Sequence, residues 1–299
     1  MEIKQLKSFI AVVDHGNFTK AAEKTFTSQP TISTHIRALE EELGARLIAR
    51  DTKNIEITSK GRELYDCAVH IIELQENLVR RWAEEDRSFI NLGASTIPSA
   101  YILPELMSEF SQLHPEVSLV IHQGDSTDVA DGLLSGIYDL GLLGMDCSSD
   151  KLKCDPFYRD ETVIITPNTP EFAALKDLPA EEAASAVFKY PAIFREKGSG
   201  TQKAAETILE KLGIDLGGLN VIARINDQET IKNLVAAGVG VSMVSWLAVR
   251  QYEQQGSVLV FRLPGAISER RFYMAVNKES YKSAAVKAFM RYVKRTYPE

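Results

Sequence analysis

Cysteine is scarce in this 299-residue sequence, and long apolar runs are missing. The cysteines Cys67, Cys147 and Cys154 are odd in number and have no C-x-x-C spacing, so we expect neither a zinc site nor a disulfide framework. No stretch approaches the roughly 18 uninterrupted apolar residues of a membrane span, and the first residues lack the layout of a signal peptide. We therefore expect a cytoplasmic protein with no membrane partner.

Catalytic constellations are missing as well. The five histidines are scattered without metal-ligand spacing, and neither His114 nor His122 has an evident nucleophile to pair with. The glycine-rich run at 198–201 lacks the GxxxxGK[ST] spacing of a nucleotide-binding P-loop. We expect no catalytic residues, no metal and no cofactor, and hence a protein that is not an enzyme.

Acidic side chains exceed basic ones, but unevenly along the chain. The formal net charge is −7. Residues 1–62 hold 10 Lys and Arg against 8 Asp and Glu, a net charge of +2, and the rest of the chain carries −9. The N-terminal part can therefore bind an anionic polymer only if its basic groups share one face. The candidates for that face are Lys4, Lys7, Arg37, Arg46, Arg50 and Lys53.

Two short helices with a tight connection are predicted between residues 17 and 50. The second helix has Ser28 as its N-cap, Pro30 in its first turn and Gly44 as its C′ residue. Its apolar residues recur at spacings of four, three and four, which predicts one buried stripe: Ile32, Ile36, Leu39 and Leu43. The preceding helix contributes Phe18, Ala21, Ala22 and Phe26 to the same core.

The opposite face of the second helix carries short hydrogen-bonding side chains and one arginine. Any soluble amphipathic helix has a polar face, so this observation alone is ambiguous. These groups nevertheless suit the reading of base edges in a DNA major groove. Residues 51–57 follow as a turn that enters an alternating strand, which is typical of a hairpin wing. The predicted DNA-binding residues are Gln29, Pro30, Thr31, Ser33, Thr34, Arg37, Arg50 and Lys53.

About 60 residues of this region resemble the N-terminal domain of LysR-type transcriptional regulators. The matching residues are Phe18–Ala22, Ser28–Pro30, Ile32–Ser33, Ile36–Glu40, Leu43–Gly44, Arg46–Leu47, Arg50, Thr58 and Gly61. The resemblance implies an α/β protein with an N-terminal winged helix-turn-helix, a long dimerisation helix and a two-lobed, periplasmic-binding-protein-like effector domain. It also implies pseudo-palindromic double-stranded DNA, RNA polymerase and a small anionic effector as partners, within a homodimer or a dimer-of-dimers homotetramer.

Residues 59–87 are expected to form the dimerisation helix, with Thr58 as its N-cap. Its apolar stripe has spacings of four and three and is wide enough to require a partner surface: Leu64, Ala68, Ile71, Leu78 and Trp82. Packing of this helix onto its own domain is the alternative.

From residue 88 onward, strands alternate with helices, which predicts a parallel, right-handed α/β sheet. The expected domains are 1–58 for DNA binding, 59–87 for the linker and 88–299 for the effector. Lobe I would comprise about 88–163 and 268–299, and lobe II about 164–267.

Loops after the strands of such a sheet are the expected ligand-binding positions. The loop at 195–202 combines two glycines, two hydroxyl groups and a helix start, which suits an anion; an ordinary glycine-rich turn is the alternative. The predicted effector site is Ser95, Thr96, Gly124, Ser126, Arg195, Gly198, Ser199, Gly200, Thr201 and Asn226. Related regulators use the corresponding loop, and the resemblance points to the branch that responds to sulfur- or selenium-related anions.

A second function class also fits the strand and helix order. The chain could be a solute-binding or catalytic α/β protein whose N-terminal helices serve oligomerisation only. Peroxide sensing, which some family members perform with two cysteines in the second half of the effector domain, is not expected, because no cysteine lies beyond Cys154.

Overall fold

The computed structural model describes residues 1–50, 55–83 and 88–298 and has two compact units, Met1–Glu85 and Asp86–Glu299. The first unit is built from helices and one hairpin. Its elements are α1 Ile3–His15, α2 Phe18–Lys24, α3 Gln29–Leu43, β1 Ile48–Arg50, β2 Ile55–Ile57 and α4 Ser59–Ala83. Strands β1 and β2 pair antiparallel, as expected for a wing.

The caps of α3 and α4 follow from side-chain chemistry. Ser28 Oγ accepts a hydrogen bond from the Thr31 amide, and Gly44 ends α3 with a left-handed φ of 59°. Thr58 Oγ1 accepts from the Gly61 amide at 3.0 Å at the start of α4. The predicted caps Ser28, Gly44 and Thr58 are therefore confirmed.

Two expectations about the core of the first unit are wrong. Phe26 is 96% exposed, because it occupies the turn between α2 and α3 with a φ of +53° rather than lying on α2. Leu43 is 43% exposed, because it lies in the last turn of α3, beyond the buried residues of that helix. The core that remains is formed by Ile32, Ile36 and Leu39 of α3 with Leu6, Phe9, Val12, Ala21 and Ala22.

The second unit contains the remaining elements, in the following order. The strands are β3 Ser88–Ser95, β4 Val117–Gly124, β5 Leu140–Leu143, β6 Leu152–Pro167, β7 Ala192–Arg195, β8 Val221–Ile225, β9 Ser242–Ser245, β10 Val258–Phe261 and β11 Glu269–Asn277. The helices are α5 Leu103–Leu113, α6 Ser126–Leu134, α7 Pro170–Ala173, α8 Ala180–Val187, α9 Gly200–Lys211, α10 Gln228–Ala236, α11 Trp246–Gln254, α12 Gly265–Ser268 and α13 Ala284–Thr296. A π-helical turn, Pro98–Ile102, precedes α5.

The second unit has a mixed seven-stranded sheet and a separate two-stranded sheet of β7 and β8, and not the purely parallel sheet that was expected. Strand β3 pairs parallel with β4 and β5, and β7 pairs parallel with β8. In contrast, β11 runs antiparallel to β5 and β6, while β9 and β10 run antiparallel to β6. Strands β6 and β11 connect the two lobes, and each runs antiparallel to the strands with which it pairs.

Each lobe has its own apolar core. Strands β3, β4 and β5, with α5, α6 and α13, form lobe I, and its core includes Phe110, Phe272 and Phe289. Strands β7, β8, β9 and β10, with α8, α9 and α10, form lobe II around Phe194 and Val244. Among the helices of the described residues, none combines the length and apolar character needed to cross a membrane.

A disulfide joins Cys147 to Cys154, a bridge that the number and spacing of the cysteines did not indicate. The Cα atoms are 6.2 Å apart because the chain leaves β5, turns and returns as β6. A separation of seven residues carries no disulfide signal by itself, since only the turn geometry brings the two side chains together.

Candidate functional sites

The exposed face of α3 is the first candidate site. Ile32, Ile36 and Leu39 are buried against α1 and α2, which turns the opposite face of α3 toward solvent. Gln29, Pro30, Thr34 and Arg37 are exposed on that face, and Thr31 and Ser33 are half-buried. A groove along α3 is lined by Pro30, Ser33, Thr34, Arg37, Glu40, Glu41, Gly44, Ala45 and Arg46.

Ion pairs surround this groove but hold its arginines weakly. Arg37 Nε lies 3.8 Å from Glu41 Oε1, and Arg46 Nη1 lies 3.4 Å from Glu40 Oε2. Arg37 and Glu41 form an exposed pair, which contributes about 0–1 kcal/mol, so a phosphate can replace the carboxylate on Arg37. Glu40 is only 10% exposed and also accepts from the Leu47 amide at 2.9 Å, whereas its partner Arg46 is 79% exposed. The backbone of Arg50 ends β1. The predicted contact Lys53 lies outside the described residues.

Helix α4 divides its apolar residues between two surfaces. Ala68 is fully buried, and Leu64, Tyr65, Ile71 and Ile72 pack partly onto the core of the same unit. Farther along the helix Leu74, Leu78 and Val79 are 38%, 46% and 53% exposed. The stripe expected to pair two chains is thus partly used within its own unit, and its exposed portion lies in the later turns.

The second candidate site is a cleft between the lobes of the second unit. The loops that follow β3, β4 and β5 in lobe I meet the start of α9 in lobe II there. Seven of the ten predicted effector residues line this cleft: Ser95, Thr96, Ser126, Arg195, Ser199, Gly200 and Thr201. The lining is completed by Ile97, Asp125, Gly144 and Arg270. Gly124, Gly198 and Asn226 lie outside that lining.

The polar groups of the cleft are unusually well buried. Ser95, Ser199 and Thr201 are 6%, 5% and 3% exposed. Ser95 Oγ has no hydrogen-bond partner among the described residues. Burying a hydroxyl without a partner is unfavourable, which marks this position as one where a ligand oxygen or water would be stabilised.

Arg195 lies at the end of β7 and contacts both lobes. Its Nε and Nη2 donate to Glu196 at 2.8 and 2.7 Å, and Nη1 donates to Gln228 Oε1 at 3.1 Å. Nη2 also reaches Thr96 Oγ1 of lobe I at 3.4 Å. Charge-assisted bonds of this kind hold the guanidinium in place.

Arg270 is a cleft residue that sequence reasoning missed. It lies opposite Asp160 in the β6–β11 register, and its Nη1 donates to Thr201 Oγ1 at 3.1 Å. Its Nε lies 3.7 Å from Asp160 Oδ2, which also accepts from Ser245 Oγ at 2.7 Å. Burial raises the pKa of Asp160, and the Arg270 charge opposes that rise. No local sequence pattern pairs residues 160 and 270, because they meet only in the antiparallel pairing of two strands that are far apart along the chain.

The free space in the cleft is small. The centre of a water molecule can move within about 10 Å³, which is enough for about one water molecule. Close backbone packing causes this: a Cβ added to Gly200 would lie 2.8 Å from the Gly144 carbonyl oxygen. Gly198, with a φ of +95°, faces Asp125, whose Oδ2 would lie 2.7 Å from an added Cβ. In the part of the chain that the structure describes, no group of three His, Cys, Asp or Glu side chains could hold a metal ion.

Two family models match the chain. Residues 3–62 match the bacterial regulatory helix-turn-helix protein model of the lysR family, and residues 83–298 match the LysR substrate binding domain. HTH-type transcriptional regulator CysL of Bacillus subtilis (strain 168) is 31% identical over 249 residues, which cover 82% of this chain and 81% of that protein. A probable RuBisCO transcriptional regulator of Phaeodactylum tricornutum is 28% identical, with 98% of this chain and 96% of that protein covered.

Solved structures have the same fold. The structure of full-length CbnR complexed with its target DNA has a TM-score of 0.78 at 22% identity and covers 99% of this chain and 100% of CbnR. The effector binding domain of QuiR in complex with shikimate has a TM-score of 0.62 at 19% identity, over 71% of this chain and 97% of that domain. The two matched family models and the CysL relative establish that this chain belongs to the LysR family of DNA-binding transcriptional regulators.

Proposed function

We propose that this regulator reads a pseudo-palindromic operator with α3 of two chains and responds to a small anionic effector bound in the cleft between its lobes. The observation that carries the effector proposal is the convergence of buried hydroxyl groups and two buried arginines in one cleft. Ser95, Ser199 and Thr201 supply the hydroxyl groups, and Arg195 and Arg270 supply the positive charge.

The chemistry of the cleft favours an anion over a cation. Arginine guanidinium groups and hydroxyl groups donate hydrogen bonds, and the start of α9 adds its partial positive charge. The small free volume requires either a ligand close in size to one oxyanion or a wider separation of the lobes when a larger ligand binds. QuiR was solved with shikimate in its effector domain, which supports a small acid as the type of ligand.

The reading of DNA by α3 is supported by the polar groups on its exposed face. Gln29, Thr31, Ser33, Thr34 and Arg37 are the proposed base-contacting residues, and Arg50 and Lys53 are proposed to contact phosphates. CbnR, which has the same fold, was solved on its target DNA. Because operator symmetry mirrors the symmetry of a protein dimer, we expect two half-sites for each dimer.

The assembly is proposed from α4. Its exposed residues Leu74, Leu78 and Val79 form an apolar strip that a second copy would cover. The proposed domains are 1–58 for DNA binding, 59–87 for dimerisation and 88–299 for effector binding, within a dimer that assembles into a tetramer and contacts RNA polymerase. A ligand that separates or closes the lobes would change the angle between paired DNA-binding domains.

Anion binding is tested on the full-length protein by thermal shift and calorimetric titration with sulfate, selenite, thiosulfate and small carboxylates. We expect at least one anion to bind, and Thr201→Val and Ser95→Ala to weaken it at least tenfold while DNA binding is unchanged. Ser111→Ala, on the exposed side of α5, is the matched hydroxyl control. Equal affinity in all four proteins would place the ligand elsewhere.

DNA binding is tested separately, with the DNA upstream of the protein's own gene as the probe. We expect affinity to fall steeply as the salt concentration rises, since phosphate contacts release counterions. Binding that does not depend on salt, or that is equal for scrambled DNA, would contradict operator reading by α3.

A further inference from the structure

We infer that Glu196 is an internal counter-ion that occupies the effector's position on Arg195, and that the effector is a small carboxylate that displaces it. The inference rests on the proposed function, because it concerns the same cleft. It adds the chemical class of the ligand and the side chain with which the ligand competes.

The contact between Arg195 and Glu196 is two-pronged. Nε donates to Glu196 Oε2 at 2.8 Å, and Nη2 donates to Oε1 at 2.7 Å. This is the fork geometry in which a guanidinium binds a carboxylate most strongly. Glu196 thus presents to Arg195 the same two oxygen atoms that a carboxylate ligand would present.

Neighbouring residues rarely form such a fork, because successive side chains of an extended strand point to opposite faces. Here β7 ends at Arg195, Glu196 lies beyond the strand, and a turn follows at residues 197–198. Arg224 Nη1 donates to the Arg195 carbonyl oxygen at 3.3 Å and holds the end of the strand. Because Glu196 lies beyond the strand, its side chain is not held to the opposite face, and its carboxylate reaches the guanidinium of its neighbour.

Burial differs strongly between the two partners and indicates which one can move. The Arg195 side chain is 3% exposed, whereas the Glu196 side chain is 27% exposed. Arg195 is further held by Gln228 Oε1 at 3.1 Å. Glu196 can therefore rotate into water and be hydrated there, while the guanidinium stays in the cleft and needs a replacement anion.

Charge balance favours a ligand with one negative charge. A monocarboxylate that replaces Glu196 leaves the charge next to Arg195 unchanged. A dianion would add a further negative charge to a cleft that already has Asp125 in its lining and Asp160 next to Arg270. The hydroxyl groups of Ser95, Thr96 and Ser199 suit a small carboxylate that carries a hydroxyl or keto oxygen.

Exchange at Arg195 would also be felt by both lobes. Nη2 of Arg195 donates to Glu196 and also reaches Thr96 Oγ1 across the cleft at 3.4 Å. A ligand carboxylate that takes the place of Glu196 changes the geometry of this shared donor. The exchange therefore links occupancy of the site to the contact between the lobes.

The test uses the full-length protein with acetate, glycolate, pyruvate and sulfate as probes at matched ionic strength. We expect Glu196→Gln to bind glycolate or pyruvate at least tenfold more tightly than the wild type, because no carboxylate has to be displaced. Sulfate can gain as well, because Glu196→Gln removes a negative charge, but it should bind more weakly than glycolate or pyruvate in both proteins. Glu210→Gln on the exposed side of α9 removes the same charge from the same lobe and should leave every affinity unchanged.

A second readout is chemical rescue. Without a ligand, Glu196→Ala should have a lower melting temperature than the wild type, and acetate should restore more of that loss than chloride does. If Glu196→Gln is poorly folded, Glu196→Asp provides the test, since its shorter carboxylate should compete less well and raise carboxylate affinity.

The outcomes separate the inference from the proposed function. Carboxylate binding that depends on Thr201 but is equal in wild type, Glu196→Gln and Glu196→Asp would overturn the inference and leave the proposed site intact. Tighter binding of sulfate than of every carboxylate in both wild type and Glu196→Gln would overturn the assigned ligand class. If no anion binds to any of these proteins, both the inference and the proposed effector site are wrong.

Discussion

Tyr101 Oη donates a hydrogen bond of 2.9 Å to Glu229 Oε1 and thereby joins the π-helical turn of lobe I to α10 of lobe II. Lys232 Nζ, on a side chain that is 3% exposed, donates to both groups, at 3.1 Å to Tyr101 and 2.6 Å to Glu229. It also donates to the Ala248 carbonyl oxygen at 2.9 Å. Beside the cleft, the lobes are thus connected by a polar cluster around the buried ammonium group of Lys232, with Glu229 on its solvent side.

Tyr101→Phe should lower the free energy of unfolding of the second unit by about 0.5–1.5 kcal/mol, the usual contribution of one hydrogen bond. Burial and the Glu229 carboxylate raise the pKa of Tyr101 above its ordinary value of 10.0. Because the pKa of Tyr101 is higher in the folded state than in the unfolded state, the neutral tyrosine contributes its full stabilisation below about pH 10. This contribution is lost as the pH rises further. Urea unfolding should therefore show a difference at pH 7 that shrinks above pH 10. Tyr281→Phe, at an 86% exposed tyrosine, is the control, and an equal effect there would contradict the assignment.

Asp160→Asn should destabilise the second unit by about 3–5 kcal/mol, because it leaves the buried Arg270 charge without its counter-charge. The side chains of Asp160 and Arg270 are 0% and 6% exposed. Thermal unfolding followed by circular dichroism measures the effect. Asp131→Asn on the exposed side of α6 should stay within about 0.5 kcal/mol of the wild type. Similar melting curves for both variants would show that Arg270 finds another partner.

Leu78→Asp should abolish dimers without unfolding the chain. Leu78 is 46% exposed within one chain, so the charge is solvated in the monomer and buried without a partner only in the dimer. Sedimentation gives the mass, and circular dichroism gives the helix content. Ile71→Asp should instead lower the stability of the first unit, because Ile71 packs against that unit's own core. A dimeric, folded Leu78→Asp protein would place the dimer contact elsewhere.

Arg37→Ala should reduce discrimination between operator and scrambled DNA by roughly tenfold or more, since one good base contact is worth about 1–3 kcal/mol. Titration of labelled duplexes at fixed salt gives both affinities. Lys24→Ala on the exposed surface of α2 removes the same charge and should leave the ratio unchanged. If Arg37→Ala lowers both affinities equally, Arg37 contacts phosphate and does not read bases.

Gly200→Ala should weaken anion binding and lower stability by about 1–3 kcal/mol, because the new methyl group has no room. Its Cβ would lie 2.8 Å from the carbonyl oxygen of Gly144, a backbone atom that cannot move without shifting the lobes. Gly265→Ala is matched in size and meets no atom within 4 Å. Wild-type affinity and melting temperature in Gly200→Ala would show that the lobes adjust freely at this contact.

Local chemistry made part of this structure predictable from the sequence. Ser28 and Gly44 delimit α3 because capping depends on a few adjacent residues, and the strands at 192–195 and 221–225 are visible as short apolar runs. Arg270 escaped prediction because its position depends on pairing between strands that are more than 100 residues apart. The Cys147–Cys154 disulfide and the exposed Phe26 depend on turn geometry, which composition does not reveal.

Strand β6 has a consequence for protein engineering. Between Leu152 and Glu161 it pairs with β11, and between Thr162 and Pro167 it pairs with β9 and β10. A chimera that exchanges one whole lobe between two regulators must therefore join two half-strands inside a continuous hydrogen-bonded ladder. Grafting the loops at 95–97 and 195–201 leaves that ladder intact, and it is the safer route to biosensors with new ligand preferences.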